Sequence, residues 1–131
     1  MGEQNALEGG PPGGKGVKAL LRTVNDGSNQ YQALYFCCPG CAEMYDNDGL
    51  HMLAVNADNV SPSWSFDGNF DAPTLSPSVL TRRGQGEGVC HSFLRNGIFQ
   101  YLNDSTHSMA GKHVPIPDLP DWVVNTEADR D

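Results

Sequence analysis

Val89-Cys90-His91-Ser92-Phe93-Leu94-Arg95-Asn96-Gly97-Ile98-Phe99-Gln100-Tyr101-Leu102 decides the fold of this chain. Two apolar, alternating runs flank Asn96-Gly97, and both loop residues tolerate the positive φ that a two-residue hairpin turn demands. The stretch predicts an antiparallel hairpin with Arg95 opposite Ile98. Pairing then runs back until His91 faces Leu102 and Cys90 faces Asn103. Neighbouring side chains of a strand point to opposite faces, so Cys90, Ser92 and Leu94 share a face with Phe99, Tyr101 and Asn103, while His91 points away. Without a bulge, Cys90 and His91 do not bind one ion together. His107 follows four residues past Asn103 and comes within one turn of Cys90.

Outward from this hairpin the pattern stays short and strand-like. Segments 17–23, 31–36, 51–55, 63–66 and 74–80 are apolar or alternating and are separated by Gly, Asn, Asp and Pro, with no long helical period. With 131 residues in all, the chain reads as one small, mostly β domain of short antiparallel strands and hairpins, spanning 17–123. Residues 1–16 are glycine- and proline-rich and read as a flexible arm. Residues 124–131 read as an acidic tail, with Trp122 docking back on the domain. The aromatic core is expected from Trp64, Phe66, Phe70, Phe93, Phe99 and Tyr101.

Cys38-Pro39-Gly40-Cys41 reads as a zinc knuckle, because a turn between two thiolates can aim both sulfurs at one ion. The hairpin register completes a Cys3His set from Cys38, Cys41, Cys90 and His107, a zinc-ribbon-like structural site that staples a small core. His51, at the start of the strand returning from the knuckle, is the substitute for the fourth place. A thiolate-rich tetrahedron suits zinc, and iron as well. Cys37 projects the other way and reads as a small buried hydrophobe. A thioredoxin-like redox role would need a helix within a βαβ unit, which the pattern does not offer. Asp104 has two readings: it caps a turn or orients a histidine from outside the metal shell, or it joins His91 and His51 as an acid/base set at an open metal. His113, just before Pro115, reads as a surface residue.

Charge excludes some partners. The net charge of −8 and the single tight basic pair, Arg82-Arg83, argue against a nucleic-acid surface. No window has the ~18 apolar residues of a membrane span, so a soluble, cytosolic protein is expected, in which four cysteines are thiols or metal ligands.

Several blocks together resemble a known group. They are Cys38-Pro39-Gly40-Cys41, His51-Met52-Leu53, Trp64 to Asn69, Ala72 to Ser78, Cys90-His91-Ser92-Phe93 and Asp104-Ser105-Thr106-His107 through Gly111. Over residues 35–118 the chain is similar to small bacteriophage proteins that often carry the label "ammonia monooxygenase". That label conflicts with a short chain lacking a membrane span. The resemblance implies a phage origin and a zinc-binding, β-rich fold. More distant relatives lie beside bacterial ubiquitin-like conjugation genes, which implies work on proteins. The resulting expectation is a phage-encoded, zinc-stabilised module rather than an enzyme, in the host cytoplasm or the virion, binding a host protein or a phage structural protein. The rival is a zinc-dependent hydrolase with an open metal site, in which His91 or Asp104 handles the proton.

Overall fold

The computed structural model describes residues 16–85 and 87–125. The arm through position 15, position 86 and residues 126–131 lie outside the described residues, and with them the expectations of a flexible arm and of most of the acidic tail.

The Asn96-Gly97 turn forms as its chemistry demands, with φ of 51° and 75° at the two loop residues. It joins β7 (Gly88–Arg95) to β8 (Ile98–Tyr101), with Arg95 opposite Ile98 and Ser92 opposite Tyr101. Among the described residues seven further strands precede or follow. They are β1 (Leu20–Asn25), β2 (Gln30–Cys37), β3 (Leu50–Ala54), β4 (Ser65–Phe66), β5 (Leu75–Ser76), β6 (Val79–Arg83) and β9 (His113–Pro115). All strand pairs are antiparallel, in sheets ordered β1-β2-β3, β4-β5 and β6-β7-β8-β9. The fold is therefore mostly β, in short antiparallel sheets.

Among the described residues two helices interrupt this pattern, α1 (Pro39–Tyr45) and α2 (Asp121–Val124). The Cys-Pro-Gly-Cys segment is thus the opening of a helix rather than a simple knuckle turn. Pro39 starts α1 because its ring presets the helical φ and its missing N–H costs nothing there. Cys38 stays extended as the N-cap, and its carbonyl accepts the Ala42 N–H. Asp46 ends the helix in the left-handed region, with φ of 56°. The strands on either side of α1 pair antiparallel, so this unit is not the parallel βαβ frame of a thioredoxin-like redox site.

The core lies between the three-stranded and four-stranded sheets. Leu34 and Phe36 of β2 meet Leu94 of β7 and Phe99 and Tyr101 of β8, with Phe66, Leu75, Val79 and Ile116 closing the sides. Phe36 packs on Phe99 at 6.1 Å, and Phe99 stacks on Tyr101 at 5.6 Å. Each such burial is worth roughly 1.5–3 kcal/mol. Trp64 is half-buried and packs against this core. Two expected core residues lie elsewhere: Phe70 is exposed, and Phe93 is on the outer face of β7 beneath the Arg95 guanidinium, 4.0 Å from its ring centroid. The cause at Phe93 is alternation, since it points opposite to Ser92 and Leu94. A smaller cluster forms where Leu119 and Val123 pack on Cys37, so Cys37 is the buried apolar residue expected. Trp122 is 60% exposed and its indole N–H reaches Asp48; Val123 is the residue that docks. Among the described residues, no helix is long and apolar enough to cross a membrane.

Candidate functional site

Two constellations lie on opposite faces of β7. The inner one begins at α1, where Cys38 and Cys41 stand three positions apart on one side of the first helical turn. His51 of β3 brings its Nε2 to 3.3 Å from Cys41 Sγ, and its ring stacks on Phe36 at 5.2 Å. The donor atoms of Cys38, Cys41 and His51 all lie within 4.8 Å of one another. Cys90 of β7 places its Sγ 3.7 Å from Cys38 Sγ. Cys38, Cys41, Cys90 and His51 are therefore close enough to hold one metal ion.

His107, the expected fourth member, stands behind Cys90. Its Nδ1 accepts the Met109 N–H at 3.2 Å, which leaves the hydrogen on Nε2, 3.2 Å from Cys90 Sγ. In that tautomer it donates to the sulfur. Tyr101 does the same for Cys38: its hydroxyl accepts the Gly40 N–H at 2.9 Å and lies 3.1 Å from Cys38 Sγ. Gly40 is required here, because a Cβ at that position would lie 2.3 Å from His107 Nε2.

The electrostatics of these sulfurs bear on what the set can hold. Hydrogen bonds from Cys41 and then Cys90 hold the Cys38 thiol far below the usual thiol range, against its burial. Cys41 is pushed up to about 12, first by its bond to Cys38 and further by burial. Cys90 is also raised strongly, by Cys38, by Cys41 and by burial. Ionisation of one buried sulfur thus opposes ionisation of the other two. A divalent cation at their centre would let all three ionise, so the donor set fits a metal ion.

The outer constellation is built by strand register. β6 pairs with β7 so that Leu80 faces His91, and Leu102 donates its N–H to the His91 carbonyl at 2.8 Å. Ser78 lies two residues before Leu80 and Asp104 two after Leu102. Both share His91's face, diagonally on opposite sides of it. Ser78 Oγ is 3.0 Å from His91 Nε2, and Asp104 Oδ2 is 3.0 Å from His91 Nδ1. The Trp64 indole N–H donates to the Ser78 carbonyl at 3.2 Å. Ser105 Oγ accepts the His91 N–H and donates to the His91 carbonyl, at 3.0 and 3.1 Å, which ties the Asp104 loop to the strand bearing the imidazole. The His91 side chain is 23% exposed and that of Asp104 58%, so the site opens to solvent.

Of the acid/base set read from sequence, the structure joins His91 to Asp104 and leaves His51 on the metal face. The third member is Ser78, which the sequence reading missed among nine serines. The signal that could have found it is register: once β6 is paired with β7, Ser78 falls beside His91. His113 is exposed at the start of β9.

A hydroxyl, an imidazole and a carboxylate linked in this order form the constellation of a serine hydrolase. A family model described as the serine protease of a bacterial ubiquitination-like system, BubE, matches residues 16–102. The chain belongs to that family. The matched segment contains Ser78 and His91 and ends two residues before Asp104. No curated protein and no solved structure matches the chain. The family match overturns the expectation of a phage-encoded zinc-binding module: it points to a bacterial protease, and neither a phage or virion origin nor a zinc-binding family has support. The hydrolase rival fits this match better, in its reaction class but not in the open metal site expected of it.

Proposed function

We propose that this protein is a serine peptidase acting on a protein of a bacterial ubiquitination-like system, with Ser78 as nucleophile, His91 as general base and Asp104 as the orienting carboxylate. The observation that carries this reading is the unbroken chain from Ser78 Oγ through both His91 ring nitrogens to Asp104. Ser78 Oγ attacks the scissile carbonyl and its proton passes to His91 Nε2. Asp104 holds the Nδ1–H and stabilises the imidazolium that forms. His91 then gives the proton to the leaving amine. Water, deprotonated by the same nitrogen, releases the acyl group and restores Ser78.

The metal is assigned a separate task. Zinc held by Cys38, Cys41, His51 and Cys90 would supply a structural link between α1, β3 and β7. His107 and Tyr101 donate to two of the sulfurs and orient them. Because Cys90 and His91 are adjacent but point to opposite faces, this link steadies the backbone that bears the base while staying off the reaction path.

Labelling with a fluorophosphonate tests the assignment. An adduct located on Ser78 by mass spectrometry, lost in Ser78→Ala at unchanged melting temperature, is the expected result. An adduct on another residue, or none on the folded protein, refutes it.

A further inference from the structure

The reacting serine does not sit in a strand. Ser78 lies in the short link, Pro77-Ser78, between the end of β5 at Ser76 and the start of β6 at Val79. The β6–β7 register begins one residue later, with Val79 opposite Ser92. The regular ladder that holds His91 therefore stops short of the residue that must meet it, and Pro77 has no N–H to contribute. A side chain from another sheet reaches the link instead: the Trp64 indole N–H donates to the Ser78 carbonyl at 3.2 Å.

Trp64 is itself firmly held. Its main-chain N–H donates to the Ala54 carbonyl at 2.9 Å, its own carbonyl accepts the Asn56 N–H at 2.7 Å, and its ring packs against the core. Asn56 in turn clasps Phe66: its Oδ1 accepts the Phe66 N–H and its Nδ2 donates to the Phe66 carbonyl. The indole is thus a strut from the exit of β3 to the link that bears Ser78. Its nitrogen can only donate, so the contact has one sense and a fixed reach.

We propose that Trp64 is a positioning residue for the nucleophile, a proposal that rests on the serine-peptidase reading. The indole N–H fixes the Ser78 carbonyl and, through that peptide, the direction from which Ser78 Oγ meets His91 Nε2 at 3.0 Å. Trp64 touches no reacting atom and acts only through the Ser78 backbone. Without the N–H, water can satisfy this part-buried carbonyl but does not hold the peptide in one orientation. A misplacement of about 1 Å at a reacting group can cost about 100-fold in rate. Loss of the donor should therefore slow reaction at Ser78 and leave the binding of a reagent unchanged.

The test replaces Trp64 in the full chain by benzothienylalanine, which keeps the fused ring but has sulfur in place of the N–H, and by a fluorotryptophan that retains the N–H. Fluorophosphonate labelling of Ser78 is followed against reagent concentration, well below each Tm, with melting curves on the same samples. Benzothienylalanine should lower the limiting labelling rate by about 10- to 100-fold at an unchanged half-saturating concentration. The fluorotryptophan protein should label at the wild-type rate. Trp64→Phe should show the same split as benzothienylalanine. Val123→Ala, in the separate cluster around Cys37, should lower Tm without slowing the folded protein. A limiting rate within about threefold of wild type in the absence of the N–H, equal slowing by both analogues, or equal slowing by Val123→Ala overturns the role of Trp64 and leaves the triad standing. Absence of labelling in the wild-type protein overturns the triad and this role together.

Discussion

Asp104→Asn is the substitution on which structural and catalytic roles diverge most. Asp104 offers both carboxylate oxygens to His91 Nδ1, at 3.0 and 3.2 Å. An asparagine can keep the contact by turning its NH2 toward Nδ1. The imidazole then holds its hydrogen on Nε2, facing Ser78, and has no lone pair with which to take the hydroxyl proton. In the best-studied serine protease triad this exchange costs about 10⁴ in kcat, equivalent to roughly 5.5 kcal/mol of transition-state stabilisation. Asp104 is more than half exposed here, so water can replace part of its field. The expected loss is accordingly about 10²–10⁴ in turnover. Stability should barely change, because an exposed ion pair contributes less than about 1 kcal/mol, which is under about 5 °C in Tm for a chain of this size. Peptide hydrolysis and Ser78 labelling rates, with melting curves on the same samples, give the comparison. Turnover within about tenfold of wild type in a folded Asp104→Asn protein would refute the triad; a large fall in Tm would instead show that Asp104 is a structural cap.

Chelation at neutral pH should remove one metal per chain, identified as zinc by elemental analysis, and lower Tm by many degrees. Metal loss without any change in melting would dismiss the structural link between α1, β3 and β7. Gly40→Ala should destabilise the fold by about 1–3 kcal/mol, although alanine gains about 1 kcal/mol at an open helical position, because its Cβ would lie 2.3 Å from His107 Nε2; a stabilised variant in thermal melting would contradict the packing. Asp118 is held below its usual range, since Lys18 at 2.5 Å and the Gly16 N–H outweigh a burial effect of opposite sign. Its folded value is lower than its unfolded one, so its contribution is present above the ordinary carboxylate range and fades as pH falls through the folded value. With both side chains a third or more exposed, Asp118→Asn should cost about 0.5 kcal/mol at pH 7 and nothing near pH 2. An equal cost at both pH values would rule out the charge as its source.

Local chemistry made much of the fold legible before any coordinates. The Asn96-Gly97 turn sets the β7–β8 register, and that register alone separates Cys90 from His91. It also leads from Cys90 to His107, which does reach the Cys90 sulfur. What it could not weigh was which nitrogen of His107 is free, because Met109 N–H decides that through a turn with no periodic signal. The opening of α1 was equally hidden. Its seven residues are too few for a helical period to show, and Pro-Gly between two cysteines is as natural in a turn as at a helix start.

By itself, then, the sequence determined a mostly β chain, a cysteine-histidine cluster able to take a metal, and two faces of β7 with different chemistry. Those follow from alternation and turn propensity, which act between near neighbours and are written in order along the chain. Only the tertiary structure decided that His51 joins the cysteines, and that Ser78 meets His91 between the diagonals of three strands. A serine has no pattern of its own; its neighbours come from how β6 pairs with β7, and that pairing is chosen by the burial of Val79, Leu94 and the rest of the core rather than by any residue near Ser78.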